Sequence, residues 1–277
     1  MALRLQSVPA RQGIAWVRLS FGVFARRPMA FSLIFSGYLM VALLVSVLLP
    51  LVGSIVMLMC VPLLGLAYMR ATQATLRQEP MPWAGFLEPV VAASPQRRSL
   101  LKLCALFAAA MTVLMLLLTL MAGEALRHWQ ELMMDSKATA EQLEAAAADH
   151  RIRNGVWLFL GGSALIAIPF WHAPALVQWC RQGVAQALFS STLACWRNKG
   201  AFLIYGLAWF VVISVFGLVL NLVFTLIGAP QMALVATMPA TLMFTTVFYI
   251  SMYFTFVDSF VLTEDPVSHE PVTPSSS

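Results

Sequence analysis

Of 277 residues, 60% are hydrophobic and only 10% are charged, whereas a soluble domain needs about a quarter of its residues charged to keep its surface wet. With a mean hydropathy of +0.82, the expected solvent is lipid. The net charge of +5 fits basic residues held in cytoplasmic loops, and no basic run interleaved with aromatics is present, so nucleic acid is set aside as a partner.

The chain opens on a basic segment with Arg4 and Arg11, but the first long apolar run starts only after Pro28. That run exceeds the roughly 7–15 residues of a signal-peptide core, so it reads as an uncleaved first span. Before it lies an amphipathic lead-in. Ile14, Val17, Phe21 and Phe24 fall on one helical arc, and Arg11, Arg18 and Arg26 on a neighbouring one. This pattern predicts a helix in the headgroup plane with those three arginines as lipid-headgroup candidates. Packing against the inner ends of a bundle is the alternative.

No charge occurs between Arg27 and Arg70, twice the ~20 apolar residues that cross a bilayer core. Pro50 and Gly53 divide this stretch into spans over residues 29–49 and 51–69 joined by a tight turn. A third span covers 103–123. A polar insert, 124–154, follows, and within it SKATAEQLEAAAADHR predicts a short water-exposed helix with Thr139 and Gln142 as a capping box. A fourth span, 155–180, carries Pro169 and Pro174, which predict a kink. Gly228, Ala229 and Pro230 separate spans 200–227 and 231–257. The tail, 263–277, is rich in Pro and Ser and is expected to be disordered. The predicted architecture is all-α: a polytopic membrane helical bundle of six transmembrane helices in three hairpins with interfacial lead-in helices, residues 1–262 forming one domain.

Basic residues set the orientation. The N-terminal segment and the connection between spans two and three each hold five, and the connection between spans four and five holds three. The insert holds four basic residues against six acidic ones. The positive-inside rule therefore puts both termini in the cytoplasm. Trp16, Trp83, Trp179 and Trp196 would mark the inner interface, Trp129 and Trp157 the outer.

An internal echo supports the three-unit layout. Gln12-Gly13-Ile14-Ala15 recurs as Gln182-Gly183-Val184-Ala185, Arg27 falls opposite Arg197, and Ala30-Phe31 matches Ala201-Phe202. WAGFLEPVVAASPQRR forms a looser lead-in for the middle pair. The second lead-in carries Gln186, Ser190 and Asn198 in place of arginines, which predicts packing against protein.

Ionisable groups within the spans, the usual functional candidates, are nearly absent. His172 could serve a relay or ligand, but a neutral ring bonded to a carbonyl freed by proline is the favoured reading. Asn221 is expected to bridge two helices by hydrogen bonds. Asp258 closes the last span and is expected to pair with Arg197 or Lys199. Cys60, Cys104, Cys180 and Cys195 form no C-x-x-C pair and read as small buried hydrophobes. No catalytic or metal-binding motif occurs, so neither enzymatic activity nor a cofactor or metal is expected.

With FARRPMAF at the first span, WHAPALVQW at the fourth and LACWRNKGAFLIYGLAW entering the fifth, the chain resembles a group of six-span inner-membrane proteins of Gram-negative proteobacteria. In layout it is distantly similar to the YciC-type membrane proteins. The resemblance covers nearly all of the chain except the insert and the tail. It implies fold and location and brings no functional residue with it. Two functions fit: a non-enzymatic membrane module binding lipid or another membrane protein through its lead-in helices, or a transporter or channel for a neutral or amphipathic small molecule with a path near His172 and Asn221.

Overall fold

A computed structural model of the protein describes residues 2–83, 95–135, 138–229 and 231–263. In chain order the elements are β1 (Ala2–Leu5), α1 (Gln12–Arg26), α2 (Pro28–Leu48), α3 (Pro50–Leu76), α4 (Arg97–Met134), α5 (Ala140–Ala147), α6 (His150–Phe170), α7 (Ala173–Cys180), α8 (Val184–Arg197), α9 (Lys199–Leu226), α10 (Gln231–Ser259) and β2 (Phe260–Thr263). The predicted middle lead-in falls largely, and the C-terminal tail almost wholly, outside the described residues, as does Pro230.

The expected all-α bundle is present. Among the described residues, six helical stretches are long and apolar enough to cross a membrane: α2, α3, α4, α6 with α7, α9 and α10. Proline starts both members of the first hairpin. Pro28 and Pro50 stand at the first positions of α2 and α3, where a missing N–H leaves no helical bond unmade. Thr139 and Gln142 cap α5 reciprocally, at 3.2 and 3.0 Å, as the spacing predicted.

Three spans depart from expectation. The second runs past its predicted end at residue 69 to Leu76. The third continues to Met134, because EALRHWQELMM is rich in good helix formers that extend the helix past its apolar part. An Arg151–Glu124 ion pair of 3.4 Å ties this extension to α6. The fourth span is broken rather than kinked: α6 ends at Phe170 and α7 starts at Ala173.

α3 and α10 form the middle of the bundle. α3 packs on α2, α4, α7 and α10, and α10 packs on α1, α2, α3 and α9. The lead-in α1 lies against both α9 and α10, more extensively than these two lie against each other. α8 packs on α6 and α7 instead. β1 and β2 pair antiparallel, Leu5 opposite Phe260 and Ala2 opposite Thr263. Both described chain ends therefore lie at one end of the bundle.

Burial is concentrated at that end. Tyr68, Met69, Leu100, Leu103, Cys104 and the run Ala173–Val177 are closed off. Toward the other end, Leu39 to Leu48 of α2 and Phe210 to Leu226 of α9, with the Leu49 and Ile227 that follow them, are mostly exposed. Apart from Ser46, Ser214, Asn221 and Thr225 these stretches are apolar, so hydrocarbon is their natural covering.

Candidate functional site

The end of the bundle where the termini meet gathers most of the polar contacts between distant segments. α1 is seated there by a glycine and a tryptophan. A Cβ on Gly13 would collide with the Ala201 carbonyl oxygen and the Tyr205 backbone nitrogen of α9. This close approach of backbones is what small residues provide in membrane helices. One turn on, Trp16 is fully buried between Phe202 and Tyr205, with ring centroids 5.4 and 5.9 Å away.

The Trp16 indole N–H donates to Asp258 Oδ2 at 2.7 Å, and Gln12 Nε2 donates to the same oxygen at 2.8 Å. Asp258 therefore pairs with neither Arg197 nor Lys199. Its carboxylate faces α1, whereas Lys199 sits over the exposed Trp196 ring, 5.2 Å from its centroid. Next to it, buried Asn198 joins three segments. Its Oδ1 accepts from the Val8 backbone N–H at 2.9 Å, and its Nδ2 donates to the Gln6 carbonyl and to Ser259 Oγ, each at 3.2 Å.

α1 thus packs against the bundle, the alternative placement, rather than lying free of it. Its buried residues are Gly13, Trp16, Val17, Ser20 and Val23, so the helix presents its apolar side to protein. Ile14 is 57% exposed, while Arg11, Arg18 and Arg26 all remain on the exposed surface. The three arginines are thus held outward on a helix whose opposite face is fixed.

α8 shows the reverse division. It buries small residues, Ala187, Ser191, Ala194 and Cys195, and exposes Phe189, Leu193 and Trp196. As predicted, Asn198 faces protein. Gln186 is exposed and Ser190 half-buried.

Ser191 repairs the broken fourth span. In an unbroken helix the His172 N–H would donate to the Ile168 carbonyl. Here Ser191 Oγ stands between them, accepting from the His172 N–H at 3.0 Å and donating to the Ile168 oxygen at 3.0 Å. The Cys195 thiol lies 3.7 Å from that oxygen, and burial pushes it up to about 12, so it stays protonated and able to donate. A neighbouring serine satisfying a helix break is how membrane helices tolerate one.

The His172 ring itself bonds to no freed carbonyl, contrary to expectation. It is completely buried, ringed by Phe202, Phe256 and Phe260 at 5.4 to 6.1 Å. Neither ring nitrogen has a hydrogen-bond partner among the described residues. Asn221 does not bridge helices within the chain either: it is exposed on α9 with no partner among the described residues. It lies 19 residues beyond Phe202 on one helix, about 28 Å along its axis, so the structure does not bring it together with His172.

Gln12, Gly13, Trp16, Ser191 and the clamp role of Asn198 were missed as a site by the reading of the sequence. Gly13 had a signal in the Gln12-Gly13 echo, and Ala187-x3-Ser191 is the small-x3-small spacing of close helix contact. All four cysteines are free, and no group of three or more metal-ligating side chains occurs among the described residues.

No family model matches the chain, and no solved structure matches it. A probable inner membrane protein of Burkholderia thailandensis is 30% identical over 277 residues, an alignment covering 98% of this chain and 99% of the relative.

Proposed function

From the premise that the chain belongs to the family of that Burkholderia inner membrane protein, we propose that it is a non-enzymatic module of the inner membrane, its termini in the cytoplasm, that gathers anionic lipid around its terminal end. The observation that carries this reading is the outward face of α1. Arg11, Arg18 and Arg26 are exposed on a helix whose other side is pinned by Gly13, Trp16 and Asp258. A cation on a fixed scaffold loses less freedom on meeting a headgroup than one on a free chain. Each basic residue near an anionic surface contributes about 1 kcal/mol.

Changing Arg11, Arg18 and Arg26 together to glutamine is expected to reduce the anionic phospholipid that purifies with the protein at least several-fold, with folding intact. Lipid mass spectrometry of the detergent-extracted protein measures this. An unchanged ratio of anionic to zwitterionic lipid would end the proposal.

The cytoplasmic placement rests on thirteen basic residues in the terminal-side segments against four in the insert. A reporter fused after Asp135 should be active in the periplasm, and one fused after Pro266 in the cytoplasm. A periplasmic signal from Pro266 would invert the whole arrangement. The suggested kinship with YciC-type proteins is supported by layout alone, since α1 and α8 each lead straight into a helical hairpin.

A further inference from the structure

A polar cavity of about 430 Å³ beside α8 is not used by the contacts described above. Arg181, Gln182, Gln186 and Ser190 line it together with Leu193 and Phe260, and no carboxylate is among its lining residues. It opens at the same end as the paired strands, since Leu5 of β1 also borders it.

Two observations point to a ligand. The Gln182 side-chain oxygen is buried and accepts no hydrogen bond from the described residues, an omission that ordinarily has a partner to explain it. The second is Arg181. It ends α7 in the left-handed region, at φ 55°, with the Gln182 N–H reaching back to the Leu176 carbonyl at 3.2 Å. Glycine is the residue favoured at such a helix end, because a Cβ is disfavoured there. The chain has a glycine two positions later but places arginine here. An unfavourable backbone kept at a cavity mouth is a sign that the side chain is wanted.

The lining specifies the chemistry. Arg181, the Gln186 amide and the Ser190 hydroxyl offer donors suited to phosphate oxygens, while the Gln182 oxygen calls for a donor. A lining with Arg181 and no carboxylate suits a neutral hydroxyl there better than an ammonium. From the cavity, Leu193 leads along α8 to Phe189 and Trp196, spaced at i, i+4 and i+7 from Phe189 and all exposed. We propose that this cavity binds the hydroxyl-bearing phosphodiester headgroup of an anionic glycerophospholipid, such as phosphatidylglycerol, with its acyl chains along that stripe. Free glycerol phosphate would suit the cavity but leave the stripe bare, so the lipid is the occupant. The inference rests on the lipid reading above and assigns it one specific, tightly held molecule away from α1.

Native mass spectrometry of the full chain in mild detergent, titrated with phosphatidylglycerol or phosphatidylethanolamine, tests it. Wild type should hold one phosphatidylglycerol in preference to phosphatidylethanolamine. Arg181→Gly should bind phosphatidylglycerol about tenfold more weakly, the loss expected for one charge-assisted contact. Its thermal midpoint should be unchanged or higher, because glycine relieves the backbone; a purely structural arginine would not separate these readouts. Gln182→Leu should also weaken binding. Unchanged phosphatidylglycerol binding in both variants would overturn the site, as would displacement of the lipid by equimolar glycerol phosphate. The Arg11, Arg18, Arg26 variant should keep this one lipid while losing the looser ones. If that variant alone sheds lipid and Arg181→Gly does not, the cavity is refuted and the α1 reading stands.

Discussion

Gly13→Ala is expected to destabilise the protein by about 2–3 kcal/mol, at the upper end of what overpacking costs, and to loosen α1 from the bundle. The added methyl meets the Ala201 carbonyl oxygen and the Tyr205 backbone nitrogen. Backbone cannot swing aside as a side chain can, so α1 must withdraw, and the buried Trp16 and Asp258 contacts withdraw with it. Gly22 provides the control within the same helix. A Cβ there meets nothing within 4 Å, so Gly22→Ala should be neutral or gain up to about 1 kcal/mol from helix propensity. Gly183, the echo of Gly13, is likewise open, and Gly183→Ala should cost less than about 1 kcal/mol, the scale of a helix-cap change. Thermal unfolding of the three variants in detergent checks this ordering. Equal midpoints for Gly13→Ala and Gly22→Ala would contradict the packing of α1 on α9.

Asp258→Ala should be comparably severe, a loss of roughly 3 kcal/mol, because hydrogen bonds to a charged group contribute about 1.5–3 kcal/mol each and their donors stay behind. Trp16 is the more costly of the two donors to abandon, since its side chain is fully buried. Asp258→Asn keeps one acceptor oxygen and should fall between wild type and alanine. Lys199→Met removes one ion-pair partner that proximity in the chain suggested, and it should change stability by less than about 0.5 kcal/mol, leaving the midpoint nearly where it was. Sensitivity of that midpoint to Lys199→Met would revive the ion pair.

The bundle was legible in the sequence because a bilayer imposes length. Charge-free runs ending near Arg27, Arg70, Lys199 and Asp258, with prolines between hairpin arms, bound the spans closely. What covers each face was not legible. In a membrane, lipid and protein are equally apolar, so an arc such as Ile14, Val17, Phe21 and Phe24 does not say which it meets. Small residues separated the two better: Gly13 and the Ala187, Ser191, Ala194 side of α8 are the buried ones. The partners of Asp258 were out of reach for another reason. Gln12 and Trp16 lie 246 and 242 residues away in the chain, and a single sequence offers nearer arginine and lysine instead. Ser191 could not be matched to the break at His172 without knowing that α8 folds back on α6.

The seat of α1 between α9 and α10 also imposes an order on biosynthesis. More than two hundred residues separate Arg26 from Ser259, so at about 5–20 residues per second α1 emerges roughly 10–50 s before its binding partners are complete. Until α9 is made, Trp16 lacks the Phe202 and Tyr205 rings that bury it. Chains stalled or cut before the last two spans would keep this surface on show. The seat of α1 is complete only once Phe202, Tyr205 and Asp258 have all been made.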